Sequence, residues 1–171
     1  MRRLILAAAA ATAVCLASTA AVGADARDPD AAILVKGGLW DSGVSDVDMA
    51  GAYGAELSAD DPFIQPSAAG KLRHMLSANH SASDDLTLTT VEWNAHWMIQ
   101  AGTGFWVGGG PGIGYLWADG RDTDDGLGLQ LGVSSYTTMQ HAILGIEARY
   151  QWVESSAADN WLTMVKLGYR F

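Results

Sequence analysis

The chain has 171 residues, about one domain's worth, of which 49% are hydrophobic and 17% charged, too apolar for a disordered chain. Ten Lys and Arg against 19 Asp and Glu give a net charge of −9, which argues against the basic surface of a nucleic-acid binder. One cysteine excludes a disulfide framework and makes a cysteine-based zinc site a poor fit.

Residues 1–24 read as an export leader. Arg2 and Arg3 form a positive start, Leu4 to Leu16 an apolar core broken only by Thr12, and Val22-Gly23-Ala24 a small-residue cleavage site. Cleavage is expected after Ala24, with Ala20 as the alternative. The apolar core is too short for a comfortable membrane span, and Val14 before Cys15 disfavours a lipoprotein. The expected organisation is a leader, 1–24, and one domain, 25–171. That domain has no cysteine and a net charge of −11, from eight cations against 19 acids. It would work in an oxidising compartment without disulfides.

Beyond the leader, hydrophobicity repeats with period two, the signature of strands. Over 32–40, Ile33, Val35, Gly37 and Leu39 alternate with Leu34, Lys36, Gly38 and Trp40. Over 49–58, Met49, Gly51, Tyr53, Ala55 and Leu57 oppose a face carrying Glu56. Over 71–80, Leu72, His74, Leu76 and Ala78 oppose Lys71, Arg73, Met75, Ser77 and Asn79. Over 91–100, Val91, Trp93, Ala95, Trp97 and Ile99 oppose Glu92, Asn94, His96, Met98 and Gln100. Over 105–117, Phe105, Val107, Ile113, Tyr115 and Trp117 oppose Trp106, a run of alternate glycines and Leu116. Over 127–136, Leu127, Leu129, Leu131 and Val133 oppose Gly128, Gln130, Gly132 and Ser134. Over 142–152, Leu144, Ile146, Tyr150 and Trp152 oppose Glu147, Arg149 and Gln151. Over 161–171, Trp161, Val165, Leu167, Tyr169 and Phe171 oppose Lys166 and Arg170.

These eight runs are 9 to 13 residues long. A tilted membrane strand needs about 9–11 residues, whereas globular strands average about 5–6. The 15 Asp fall in the breaks, at 25–30, 41–48, 60–61, 84–85, 119–125 and 159, and no Lys, Arg, Asp or Glu sits on an apolar face. A soluble protein has little reason for that exclusion; in lipid a charge at mid-depth costs roughly 2–4 kcal/mol. The apolar faces are therefore expected to meet lipid. A sheet in lipid must close to pair its edges. The predicted fold is all-β, an eight-stranded antiparallel transmembrane β-barrel.

So small a barrel has room inside only for side chains. Lys36, Glu56, Lys71, Arg73, Glu92, Asn94, His96, Gln130, Glu147, Arg149 and Lys166 are expected to form a polar network that plugs the lumen. Gly108, Gly110, Gly112 and Gly114 leave room beside it, either for long Arg and Lys chains to cross or for a small ligand. Trp117, Trp152 and Trp161 fall at one set of strand ends, and Phe105, Tyr169 and Phe171 at the other, as interfacial girdles would. Trp40, Trp106 and Tyr136 have inward parity and fall outside that account.

Little in the chain points to catalysis, and no cofactor or metal is expected. The four His lack the spacing of a helical metal motif. His80 and Ser81 are adjacent, which on a strand sends them to opposite faces. The acidic run ADGRDTDDG, 118–126, lacks the spacing of a calcium loop and reads as a solvated loop that divalent cations could bridge to anionic lipid. A soluble lipocalin-like ligand-binding barrel is the alternative fold; it needs an apolar interior and a polar exterior.

The eight strands, the run GGGPGIGYLW at 108–117 and the terminal GYRF together resemble the small outer-membrane β-barrels, a group that includes the OmpA N-terminal domain, OmpX and the opacity-type proteins. The alternation of Val165, Leu167, Tyr169 and Phe171 is similar to the C-terminal signal read by the outer-membrane assembly machinery. The resemblance implies a monomer whose partners are outer-membrane lipid and lipopolysaccharide, the assembly machinery and periplasmic chaperones, and not nucleic acid. It implies periplasmic termini, outer loops near 41–48, 80–86, 118–126 and 153–160, and periplasmic turns near 59–69, 101–104 and 137–141. Those outer loops are shorter than the adhesins of the group carry. Some eight-stranded members are lipid A deacylases with a His-x-Ser pair; here Ala82 stands where that Ser would be. A structural or surface-interaction protein is expected, with a lipid A-modifying enzyme or a narrow pore as alternatives.

Overall fold

In the computed structural model the described residues are 30–42, 49–64, 70–83, 86–120, 125–154 and 159–171. The leader and the mid-parts of several loops lie outside them. Eight strands follow one another: β1 (Ala32–Ser42), β2 (Ala50–Asp60), β3 (Lys71–Ala82), β4 (Leu86–Gly102), β5 (Phe105–Gly120), β6 (Gly126–Met139), β7 (Ala142–Val153) and β8 (Asn160–Arg170). Each pairs antiparallel with the next, and β8 returns to β1 to close the barrel. In that seam Ala32 faces Arg170 and Ser42 faces Asn160.

The start of β1, the end of β8 and the 61–70, 103–104 and 140–141 connections lie at one end of the barrel, called the terminal end; the other four connections lie at the far end. Two of the terminal-end turns are tight. Gly104 takes φ 70° in one and Gln140 φ 54° in the other, the left-handed region that hairpin turns use.

Side chains alternate in and out along every strand as the sequence implies. Ile33, Val35 and Leu39 are exposed while Lys36 and Trp40 are buried. Seven of the eight strands are longer than the alternation suggests, and β4 reaches 17 residues. The chemistry of the faces is the reason. Over 86–90 the alternation continues, but Leu86 and Leu88 point inward and are buried, so the leucines no longer mark the outer face. The breaks assigned to aspartate also move: Asp41, Asp60 and Asp119 close β1, β2 and β5 rather than leading the loops.

Candidate functional site

Three layers fill the lumen. At the far end Trp40, Ala50, Ala52, Leu86, Leu88, Leu116, Val153, Leu162 and Met164 pack as an apolar cap. Towards the terminal end Ala32, Leu34, Met98, Tyr136 and Ile143 form a second apolar cluster, with Trp106 against it. The inward Trp40, Trp106 and Tyr136 thus belong to the lumen caps and not to the girdles. Their inward parity is legible in the sequence; the apolar clusters they join are not.

Between the caps sits a charged layer with equal numbers of each sign: Lys36, Arg149 and Lys166 against Glu56, Glu92 and Glu147, all buried. Lys166 Nζ lies 2.6 Å from Glu56 Oε2 and also pairs with Glu147. Lys36 Nζ lies 3.5 Å from Glu56 and 3.7 Å from Glu147, and donates to Ser77 Oγ at 3.0 Å. Arg149 pairs with Glu92 and lies 3.8 Å from Glu147. Asn79 donates to Glu92 and, at 3.3 Å, to Thr90. Mutual neutralisation is what makes burial of six charges tolerable.

The residues expected to form one network fall into separate groups. Lys71 and Arg73 stand apart, at the terminal end. Lys71 Nζ lies 2.6 Å from one oxygen of Asp60 and Arg73 Nη1 2.8 Å from the other, with Asp30 3.4 Å from Lys71. Arg73 also donates to Ser58 Oγ at 2.9 Å, and the Lys71 ammonium lies 4.4 Å from the centre of the Trp106 ring. Gln130 donates to Asn94 at 2.8 Å, apart from any ion pair, and His96 Nδ1 meets Ser134 Oγ at 2.8 Å. Asp60 is the acid that the sequence reading left in a break. Its parity, two beyond the inward Ser58, is the signal that would have found it.

The glycines of β5 serve β4 and β6 instead of the long cations. A Cβ on Gly112 would overlap the Asn94 amide and come 2.8 Å from that of Gln130; one on Gly114 would lie 2.9 Å from Glu92 Cβ. Asn94, Gln130 and Glu92 occupy the space in which Arg and Lys chains, or a ligand, were expected. A cavity of about 20 Å³ lies elsewhere, between Arg73, Tyr136 and Lys166, enough for a buried water.

The outer face carries exposed large apolar side chains on seven of the eight strands, with Leu72 and Leu76 partly exposed on β3. Val35, Leu129, Val133, Ile146 and Leu167 are each more than half exposed. At the far rim the Tyr150 ring lies 4.8 Å from Trp152 and 4.9 Å from Trp161, and Tyr115 4.9 Å from Trp117. At the terminal rim Tyr169 lies 5.3 Å from His141 and 5.5 Å from Phe171. The Phe171 amide bonds the Ala31 carbonyl at 2.9 Å, extending the seam to the last residue. Below β2, Asp61 joins His74 of the outer face at 2.8 Å. Burial works against that carboxylate, but bonds from His74 and from the Ile64 and Phe63 amides outweigh it and hold its pKa below the ordinary value of 3.8.

His80 is on the outer face and Ser81 is buried in the lumen. His80 bonds the Thr89 hydroxyl at 3.0 Å, and no acidic side chain among the described residues bonds it. Asp84 and residues 121–124 of the acidic run lie outside the described residues.

A closed barrel of eight antiparallel strands is the fold of the small outer-membrane β-barrels. Solved structures of that class match the chain along most of its length. Ail, the attachment invasion locus protein of Yersinia pestis, is 12% identical, covers 84% of this chain and 99% of its own, and has a TM-score of 0.60. Neisserial surface protein A is 13% identical, with coverage of 82% and 97% and a TM-score of 0.62. The outer membrane enzyme PagL is 13% identical, with coverage of 82% and 98% and a TM-score of 0.54. No protein-family profile and no curated protein matches the sequence. The likeness is one of fold.

Proposed function

We propose that the chain is an exported outer-membrane barrel with a structural or surface-interaction role, and that it is not an enzyme. The observation that carries this reading is the continuous apolar exterior around a paired, charged interior. A soluble protein rarely exposes an apolar patch beyond a few hundred Å², and this one encircles the molecule. The arrangement is the reverse of what a lipocalin-like ligand binder requires. The non-enzymatic reading is supported by the separation of His80 from Ser81 across the barrel wall, though the neighbours in fold include an enzyme as well as surface proteins. The partners in this reading are lipid along the belt, lipopolysaccharide at the far rim, and the assembly machinery and its chaperones, which would read Val165, Leu167, Tyr169 and Phe171 during insertion. The termini would face the periplasm.

The test is electrophoresis of the membrane fraction with and without boiling. A pelleted band that changes mobility on boiling is the expected result. A soluble periplasmic band with no shift would overturn the membrane reading.

A further inference from the structure

The connection from β2 to β3 differs from the other two at the terminal end. They are two-residue turns, whereas this one spans 61–70. Its first residues expose Phe63 at 86% and Ile64 at 41%. The Asp61 amide still bonds the Leu72 carbonyl at 2.9 Å, so the ladder runs on to this point and Asp61 keeps the outward parity of Leu57 and Ala59. Its carboxylate then does two things at once. One oxygen meets His74 Nε2 at 2.8 Å, and His74 stands on the outer face, stacked 5.5 Å from the Trp93 ring. The other accepts from the Phe63 amide at 2.7 Å and the Ile64 amide at 2.8 Å. The chain is thereby tied back towards the outer wall and not folded beneath the lumen.

From this geometry we infer that residues 61–64 form a fixed foot whose Phe63 and Ile64 side chains enter the lipid leaflet at the terminal end of the barrel. The occupant is lipid, because the two side chains continue the exposed apolar belt and the clasp holds them on its side of the wall. An apolar pair at that end of the barrel gains from burial at the boundary between headgroups and acyl chains. The foot rests on the membrane reading above.

The experiment uses the full chain with Cys15 replaced by Ser, which leaves one introduced cysteine as the only thiol. An environment-sensitive fluorophore is attached at F63C, at L131C on the belt or at T103C in a two-residue turn. Each protein is folded into phosphatidylethanolamine–phosphatidylglycerol vesicles with or without headgroup-level nitroxide lipid. At position 63 we expect a blue shift at least half that seen at 131 and strong quenching by the nitroxide, with D61A losing most of both. A blue shift without quenching means that the side chain packs on protein, and the inference falls. A lipid signal at 131 beside an aqueous signal at 63, equal to that at 103, overturns the foot and leaves the membrane reading intact. Aqueous signals at both 63 and 131 overturn both.

Discussion

Glu147 is the residue on which the charged layer turns. It faces Lys36, Lys166 and Arg149, and its side chain is 2% exposed. Removing it leaves three buried cations with two carboxylates. Breaking a buried pair from one side typically costs about 3–5 kcal/mol, because the remaining charge stays desolvated and unpaired. E147A is therefore expected to lower the urea midpoint of the folded barrel in vesicles by a corresponding amount. The double variant E147M/K166M removes one charge of each sign and keeps the layer neutral. Its cost should fall well below the sum of the single changes, since residues in one network couple. Additive costs would show that the layer is not a unit.

At the scale of the strand, the glycines of β5 are the test. A Cβ on Gly110 would collide with the Ala95 carbonyl of β4, while one on Gly37 of β1 would meet nothing within 4 Å. G110A should cost about 1–3 kcal/mol, the usual range for overpacking, and G37A much less, both read from urea unfolding in vesicles. Alternation was legible in the sequence for every strand, because lipid imposes one chemistry on the outer face over the whole belt. The strand ends were not legible. Beyond the belt nothing requires the outer face to be apolar, and Leu86 and Leu88 turn the pattern over. Of the lumen, the charged residues could be named from parity alone. Their division into a neutral layer and a separate Lys71–Arg73–Asp60 cluster could not, since it depends on how far along the axis each strand is staggered. Trp40 and Tyr136 could be placed inside from parity, but the caps they build could not, because that packing too depends on strand stagger.

At the scale of the whole molecule, two apolar clusters flank the charged layer along the axis. An ion crossing the barrel would have to pass the far cap, the charged layer and the second apolar cluster, losing its hydration twice in hydrocarbon-like surroundings. Planar bilayers containing the protein should show no unitary current steps at neutral pH. Replacing the largest far-cap side chains with alanine, W40A with L116A, removes one seal only and should leave the bilayer silent too. Regular steps from the unaltered protein would restore the narrow-pore reading.

Lys36 and Lys166 are direct partners across the seam, like charges that would repel if left to themselves. Glu56 and Glu147, from the strands on either side, hold both. Consider what this does to errors of closure. A slip of β8 by one residue turns its faces inside out, and lipid alone penalises that. A slip by two residues keeps every face correct and is invisible to lipid. It would carry the Lys166 ammonium along the axis, away from the two carboxylates. The quartet therefore proofreads the class of misfolds that alternation cannot detect, and it does so at the seam that closes the barrel.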